Sequence, residues 1–322
     1  MTILPSPADV RAAAARIAPT VKRSPFWRSE TLSAYLGGEV WLKLECEQAT
    51  GSFKIRGATN VLAQLSDAER RGGVVASSAG NHGLGIASAA AALRVPATVF
   101  VPRSAPAVKR DKIAALGATI DASAANYDAA ERLARAHAAR TGATFVSPCS
   151  GRELLAGQGT VALEILEELP ALASIVVAVG GGGLVGGVGG LLRGEAPAVR
   201  IIGAQSEHTN AMALALERGQ PTDILDQPTL ADGLAGLVDA EMLAQGEASI
   251  DEMVTVSEPD IASAIAYLWI EEGVKVEGAG AVGVAALLAG LVRTFTFPVV
   301  VVVSGGNIDD AVHQRILAGS AT

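Results

Sequence analysis

Short runs rich in valine and isoleucine alternate along the chain with longer alanine-rich stretches of helical period. This alternation is typical of βα units and predicts an α/β fold with mainly parallel sheets, covered by helices on both faces. The run PVVVVV at 298–303 has no polar residue and predicts a fully buried strand. Helices are predicted over 128–140, with Asn126 as a cap, and over 259–272. The predicted strands are 40–44, 73–76, 98–101, 144–146, 175–179, 200–204 and 299–303.

The composition restricts the kind of ligand. Half of the 322 residues are apolar and 18% are charged, which is typical of a compact protein with a well-formed core. The net charge is −8, and no run of lysine or arginine occurs. Because nucleic acids and anionic membranes require a basic surface, we expect neither as a partner and predict a small-molecule ligand.

Two further patterns bear on location. Residues 175–192 carry no charge, but eight of these residues are glycine, so this segment is predicted to be a strand, a turn and a helix rather than a membrane span. The start, MTILPSPADV, lacks the basic and apolar regions of a signal peptide, and we expect a cytoplasmic protein.

Cysteine and histidine give no sign of a metal site. Cys46 and Cys149 belong to no CxxC pair, and we expect both to be buried thiols. The four histidines lack the spacing of a metal-binding helix pair, so no metal is predicted.

Four consecutive glycines, Gly180 to Gly183, follow the predicted strand 175–179. Glycines let backbone N–H groups converge on an anion at a helix start, so this segment is predicted to bind a phosphate. Gly181, Gly183 and Gly186 also satisfy GxGxxG, with Glu207 about twenty residues further on. A dinucleotide site and simple close packing of helix on sheet therefore remain alternatives.

Two other predicted strands end in polar clusters. SSAGNHG at 77–83 offers hydroxyls, an amide and free N–H groups at a helix start, which suits a carboxylate or phenolate oxygen. SGGN at 304–307 follows the valine run. Each cluster can also be read as an ordinary helix cap. Ligands of open α/β sheets bind at such strand ends.

Lys54 lies between Phe53 and Ile55, after a Thr-Gly-Ser turn. A lysine among apolar groups loses proton affinity, and the neutral amine reacts with aldehydes, which arginine does not. Alternatively, its stem packs on Phe53 while the ammonium reaches water. Together, the amine, the glycine-rich phosphate site and the polar strand ends predict a pyridoxal phosphate site.

The chain resembles the fold-type II pyridoxal-phosphate enzymes, and within them the serine/threonine dehydratases (threonine ammonia-lyases) and serine racemases. The resemblance extends over nearly the whole chain and implies the tryptophan synthase β-like fold, with two open, twisted, mainly parallel sheets in a large and a small domain. The matching motifs are WLKLE at 41–45, GSFKIRG at 51–57, SAGNH at 78–82, GQGT at 157–160, GGGG at 180–183, EGAG at 277–280 and SGGN at 304–307.

The resemblance also implies residue roles. Lys54 would hold the cofactor covalently next to Phe53, and the amides of Gly180 to Gly183 would bind its phosphate. Asn81 would contact the ring hydroxyl oxygen, and Ser304 would face the pyridine nitrogen. Glu277 would lie near the ring or Ser304, although a helix-start carboxylate is an alternative reading. The substrate carboxylate would be bound by the loop that contains Ser78, Ala79, Gly80, Asn81 and His82.

The activity implied is β-elimination from a hydroxy amino acid, L-threonine or L-serine or both, to a 2-oxo acid and ammonia. Lys54, displaced from the cofactor by the substrate, would remove the Cα proton before the β-hydroxyl leaves. Alternatives of the same fold are a 3-hydroxyaspartate dehydratase, a serine racemase and a β-replacement synthase. A nicotinamide-dependent oxidoreductase and a non-catalytic sensor are alternatives of other classes.

Three departures from the family pattern bear on these alternatives. Ala79 stands where racemases have a second serine, which favours a dehydratase. Gln205 and Ala211 stand where some relatives bind a divalent metal, so that metal is not expected, although Glu207 could compensate. The stretch PCSGRE at 148–153 lacks the aromatic and acidic residues common there in threonine dehydratases, and its Arg152 could favour an acidic substrate such as 3-hydroxyaspartate.

The domains implied are a large pyridoxal-phosphate-binding domain, 1–48 plus 146–322, and a small mobile domain, 49–145. The chain ends soon after SGGN, so no C-terminal regulatory domain is expected. Relatives are usually dimers or tetramers, and we expect a homodimer or a homotetramer.

Overall fold

The structure is a computed structural model that describes residues 3–225 and 227–319. Helices pack on two mainly parallel β-sheets, so the predicted α/β class is confirmed. The strands are β1 (Phe26–Arg28), β2 (Val40–Leu44), β3 (Val74–Ser77), β4 (Ala97–Pro102), β5 (Thr119–Ala124), β6 (Thr144–Phe145), β7 (Ser174–Ala178), β8 (Arg200–Ser206), β9 (Glu252–Val256) and β10 (Val299–Val303). The helices are α1 (Pro7–Ile17), α2 (Glu30–Leu36), α3 (Lys54–Ala63), α4 (Asp67–Gly72), α5 (Asn81–Leu93), α6 (Ala107–Ala115), α7 (Tyr127–Thr141), α8 (Arg152–Glu168), α9 (Gly183–Glu195), α10 (Ala211–Arg218), α11 (Ala240–Ser249), α12 (Glu258–Glu272), α13 (Gly278–Leu288) and α14 (Asp310–Leu317).

The strands form a larger and a smaller sheet. The larger has the order β1-β2-β10-β7-β8-β9, in which β1 runs antiparallel to β2 and the other pairs are parallel. The smaller is parallel, with the order β5-β4-β3-β6, and its strands lie between residues 74 and 145. A small mobile domain over 49–145, moving against 1–48 plus 146–322, stays a prediction. Residues 1, 2, 226 and 320–322 of that large domain lie outside the described residues.

The burial of β10 on both faces explains its unbroken valine run. Val299, Val301 and Val303 pack in one core cluster, which includes side chains of α12 and α13. Val300 and Val302 pack in a second cluster on the other face, with side chains of α8 and α9. Because successive side chains of a strand point to opposite faces, a strand buried on both faces has an apolar residue at every position.

The strands and helices that were predicted match elements of the structure to within two residues at each end. Strands 40–44 and 299–303 are β2 and β10, and α7 and α12 start one residue before the predicted helices. The side chain of Asn126 caps α7 as predicted. The predicted strand 73–76 begins too early, because Gly73 ends α4 with a φ of +79°.

The prediction missed β1, β5 and β9, each of which is an edge strand of its sheet. All three are partly exposed along their length, so they carry polar residues and lack the apolar runs of the buried strands.

The glycine-rich segment has the predicted strand, turn and helix. It runs from β7 through the glycines into α9, which is buried from Gly183 to Leu192. Within the described part of the chain, each helix is too short or too polar to cross a membrane.

Candidate active site

A cavity of about 750 Å³ lies at the carboxyl ends of β3, β7 and β10. This is the position at which open α/β sheets bind ligands. The structure brings all the predicted site residues together in its wall. These residues are Phe53, Lys54, Ser78, Ala79, Gly80, Asn81, His82, Gly180, Gly181, Gly182, Gly183, Glu277 and Ser304.

Lys54 is the first residue of α3 and is partly buried, with access to the cavity. Its Nζ donates a hydrogen bond to the Pro148 carbonyl oxygen at 2.8 Å and lies 5.2 Å from the centroid of the Phe53 ring. The preceding turn is held against the loop after β10, because the Phe53 N–H donates to the Ser304 carbonyl oxygen at 3.2 Å. The lysine amine is therefore fixed at the junction of two strand-end loops.

Gly180 to Gly183, the glycine loop, lead into α9 and leave four successive positions at the helix start without a side chain. Gly182, with a φ of +85°, is the N-cap of α9. A Cβ atom at Gly181 would lie 2.7 Å from the Cys149 sulfur, and one at Gly183 would lie 3.0 Å from the Cys149 Cα. A larger residue at Gly181 or Gly183 would therefore displace Cys149 in the neighbouring wall. Free N–H groups at the start of a buried helix suit a phosphate, as the sequence predicts.

Ser304 and Glu277 lie in the wall beside the loop of Asn81. The Ser304 hydroxyl donates to the Ala279 carbonyl oxygen at 3.2 Å, so it would have to rotate to donate to a ring nitrogen. Asn81 Nδ2 donates to Glu277 Oε1 at 2.6 Å. Burial, and then the negative charge of Asp232, raises the pKa of Glu277 to about 7.

His82 is fully buried in the first turn of α5. Its Nε2 lies 3.0 Å from the Val146 carbonyl oxygen, which can only accept, so Nε2 carries the hydrogen. Burial, and then the charge of Lys54, lowers the pKa of His82 to about 3. The imidazole is therefore neutral at pH 7, and a substrate carboxylate at this loop would meet N–H and hydroxyl donors rather than an imidazolium.

The buried imidazole predicts how stability depends on pH. The unfolded chain binds a proton at His82 below pH ~6.5, whereas the folded chain does so only near pH 3. We therefore expect the free energy of unfolding to fall more in the wild type than in His82→Asn between pH 6.5 and pH 5, by about 1 to 2 kcal/mol. Urea titrations at several pH values measure this difference. An equal fall in both proteins would contradict the prediction, and His137→Asn, at a partly exposed histidine, is the control.

The structure corrects two expectations. Cys46 is buried, but Cys149 is only partly buried and lines the cavity, because it faces the glycine loop. Arg152 is absent from the cavity wall, and its Nη2 forms an ion pair with Asp9 Oδ2 at 2.7 Å on α1. The argument for an acidic substrate from Arg152 therefore fails.

Gln205, at a position compared above with a metal ligand, has a side-chain amide that is hydrogen-bonded within the protein. Gln205 Nε2 donates to the Thr209 carbonyl oxygen at 2.9 Å, and its Oε1 accepts from the Ala213 N–H at 3.0 Å. In the described residues, no group of three or more His, Cys, Asp or Glu side chains is arranged to hold a metal ion.

Sequence reasoning missed several residues of the cavity wall. Lys109 of α6 and Asp232 of a 3-10 helix (Asp232–Leu234) face each other, with 3.2 Å between Nζ and Oδ2. Neither residue belongs to a recognisable motif, and no sequence signal joins them. Asn307 also lines the cavity. It belongs to the SGGN motif, from which only the serine was assigned a role.

A lysine amine in one cavity with a glycine-rich helix start, at the strand ends of two β-sheets, is an arrangement that suits pyridoxal phosphate. The family model described as "Pyridoxal-phosphate dependent enzyme" matches residues 17–305. The chain belongs to this family, so the predicted family and cofactor are confirmed, and the dinucleotide reading of the glycines is set aside.

Individual relatives are similar over nearly the whole chain. The L-threonine ammonia-lyase of Thermotoga maritima is 44% identical over 96% of this chain and 77% of its own length. The putative threonine dehydratase of Sinorhizobium fredii is 38% identical over 97% of this chain and 95% of its own. Among solved structures, maize serine racemase has a TM-score of 0.92 with 32% identity, covering 98% of both chains. The processed form of threonine deaminase isoform 2 from Solanum lycopersicum has a TM-score of 0.90 with 31% identity, covering 97% of this chain and 87% of that one.

Proposed function

We propose that the protein is a lyase that eliminates the β-hydroxyl and the amino group of L-threonine or L-serine, giving a 2-oxo acid and ammonia. The observation that carries the proposal is the position of the Lys54 amine in one cavity with the glycine loop and the loop 78–82. Relatives named as threonine ammonia-lyases or dehydratases, at 36 to 44% identity, support the substrate class.

The residues present fit the cofactor. The loop 180–183 lines the cavity without side chains at the start of α9, where backbone N–H groups would bind the phosphate, and Lys54 would supply the amine that binds the aldehyde carbon. Asn81 and Ser304 would contact polar atoms of the ring, with Phe53 and Glu277 beside them. When bound, pyridoxal phosphate supplies a ring that accepts the electrons left on Cα after deprotonation.

The chain itself would position the substrate and move the proton. The Ser78 hydroxyl and the N–H groups at the start of α5 would bind the substrate carboxylate. Lys54 Nζ, held near the Pro148 carbonyl oxygen, would take the Cα proton as a general base. Ser304 is neutral, so it does not hold a proton on the ring nitrogen as a carboxylate would, which favours prompt elimination over slower carbanion chemistry.

Ala79 argues for elimination over racemisation. It is buried in the cavity wall and carries no hydroxyl that could exchange a proton at Cα from the side opposite Lys54. A racemase needs such a second acid–base group.

Product analysis tests the proposal. We expect L-threonine or L-serine to give oxo acid and ammonia in equal amounts, and no D-isomer to accumulate. L-Alanine, which lacks a β-leaving group, is the control and should release neither product. Formation of D-serine without oxo acid would contradict the proposal, and release of oxo acid from 3-hydroxyaspartate alone would contradict the substrate class.

We further propose that the protein acts in the cytoplasm as a homodimer or homotetramer. The two free cysteines suit a reducing compartment. Exposed apolar side chains such as Trp269 and Ile270 suit a subunit interface. We also propose that the small domain 49–145 moves against the rest, with Lys109 and Asp232 meeting across the cavity.

A further inference from the structure

Asn307 has both of its side-chain N–H groups engaged. Its Nδ2 donates to the Thr50 carbonyl oxygen at 2.8 Å and to Asn81 Oδ1 at 2.7 Å. A backbone carbonyl can only accept, so Thr50 fixes which end of the Asn307 amide faces it. The second N–H of Asn307 must then point to an acceptor, and that acceptor is the Asn81 oxygen.

The orientation of the Asn307 amide determines that of the Asn81 amide. Because its Oδ1 accepts from Asn307, its Nδ2 must face the other way, where it donates to Glu277 Oε1 at 2.6 Å. Glu277 is 7% exposed, and it also accepts from the backbone N–H of Asn307. Asn81 Nδ2 has a second N–H, for which the described residues provide no further acceptor, and Asn81 lines the cavity.

The surrounding glycines leave room for this network. A Cβ at Gly51 would lie 2.7 Å from Asn307 Oδ1. A Cβ at Gly305 would lie 2.2 Å from Glu277 Oε1 and 3.1 Å from Asn81 Nδ2. Larger residues at these positions would displace the side chains that orient Asn81, so the backbone on both sides is matched to the network.

We propose that Asn307 is a positioning residue that fixes the amide of Asn81 so that an N–H, and not the carbonyl oxygen, faces the ring oxygen of the cofactor. Glu277 completes the chain of hydrogen bonds as the acceptor at its far end. The inference rests on the proposed placement of the cofactor beside Asn81. A purely structural role, in which Asn307 only ties the loop after β10 to Thr50, would affect stability without involving Asn81.

A double-mutant cycle separates the two roles, with the apparent affinity for pyridoxal phosphate, followed by its visible absorption band, as the readout. The proteins are the wild-type full chain, Asn81→Ala, Asn307→Ala and the double variant. We expect each single substitution to weaken cofactor binding by roughly tenfold, because each costs the cofactor the one hydrogen bond that Asn81 would donate to the ring oxygen. The double variant should be no weaker than Asn81→Ala by more than ~2-fold, because Asn307 acts through Asn81.

A near-isosteric variant covers the case in which Asn307→Ala does not fold. Asn307→Asp offers only acceptors, so the Asn81 amide should turn its nitrogen toward Asp and its oxygen toward the ring. We expect cofactor binding to weaken at least as much as in Asn307→Ala. Wild-type affinity in Asn307→Asp would overturn the inference.

The other possible results of the double-mutant cycle lead to different conclusions. Additive losses in the double variant would overturn the inference alone. Ser304→Ala combined with Asn307→Ala is the control pair, and we expect additive losses there because Ser304 donates to Ala279 and not to this network. A wild-type chain without a visible band would instead overturn the cofactor assignment, and the inference with it.

Discussion

Replacing Lys54 with alanine is expected to lower kcat for oxo-acid release from L-threonine by at least ~10⁴-fold, because the variant loses both the amine that binds the cofactor and the base that removes the Cα proton. The Nζ atom lies in the cavity wall with the Pro148 carbonyl oxygen as its partner. Lys54→Arg should lose as much, since a guanidinium stays protonated and forms no such bond. Oxo-acid release under saturating substrate measures the effect.

The control for this substitution is Lys22→Ala, at an exposed lysine outside the cavity wall. It should keep the wild-type rate. Retention of most activity by Lys54→Ala, with added pyridoxal phosphate present, would show that another group performs the chemistry.

Replacing Arg56 with alanine is expected to lower the free energy of unfolding by about 3 to 5 kcal/mol, because it leaves buried carboxylates without their cation. Arg56 is 1% exposed and lies two residues after Lys54 on α3. Its guanidinium makes two hydrogen bonds of 2.8 Å with Glu45, and bonds of 2.7 and 2.9 Å with Glu164. Lys43 Nζ lies 2.7 Å from Glu164, so the four side chains balance two positive with two negative charges.

The pKa of Glu164 shows that its cationic partners outweigh the effect of burial. Burial alone would raise it, but hydrogen bonds and positive charge from Arg56 and Lys43 hold the pKa below its usual value. Without Arg56, three charges remain, and one carboxylate must be protonated or left unpaired. Urea denaturation measures the loss.

Arg28→Ala is the matched control for Arg56→Ala. Arg28 pairs with Glu30 at the protein surface, and the loss there should be at most ~0.5 kcal/mol. A similar small loss for Arg56→Ala would contradict the view that this cluster holds α3 and its lysine in place.

The parts of the fold that the sequence predicted are those with a strong local pattern. Strand β10 has an unbroken apolar run because both its faces are buried, whereas β5 is an exposed edge strand whose polar residues conceal it. The order of strands within each sheet depends on long-range pairing, and no local pattern encodes it.

In the candidate site, too, the residues with a local sequence pattern could be predicted and those that depend on long-range contacts could not. Lys54, the glycine loop and the loop 78–82 were predictable because each ends a recognisable strand or begins a helix with unusual residues. The partners that orient them were not. The bond from Asn307 to Asn81 joins residues that are 226 positions apart, and the pair of Lys109 with Asp232 joins residues that are 123 positions apart. Such contacts come from the tertiary fold alone.

The central claim is that Lys54 binds pyridoxal phosphate, and identifying the modified lysine tests it most directly. The purified protein is reduced with borohydride, which makes the lysine–cofactor bond permanent, then digested and analysed by mass spectrometry. The chain has six lysines, Lys22, Lys43, Lys54, Lys109, Lys112 and Lys275. We predict the reduced cofactor on the peptide that contains Lys54 and on no other. Modification of a different lysine, or of none after incubation with pyridoxal phosphate, would contradict the claim.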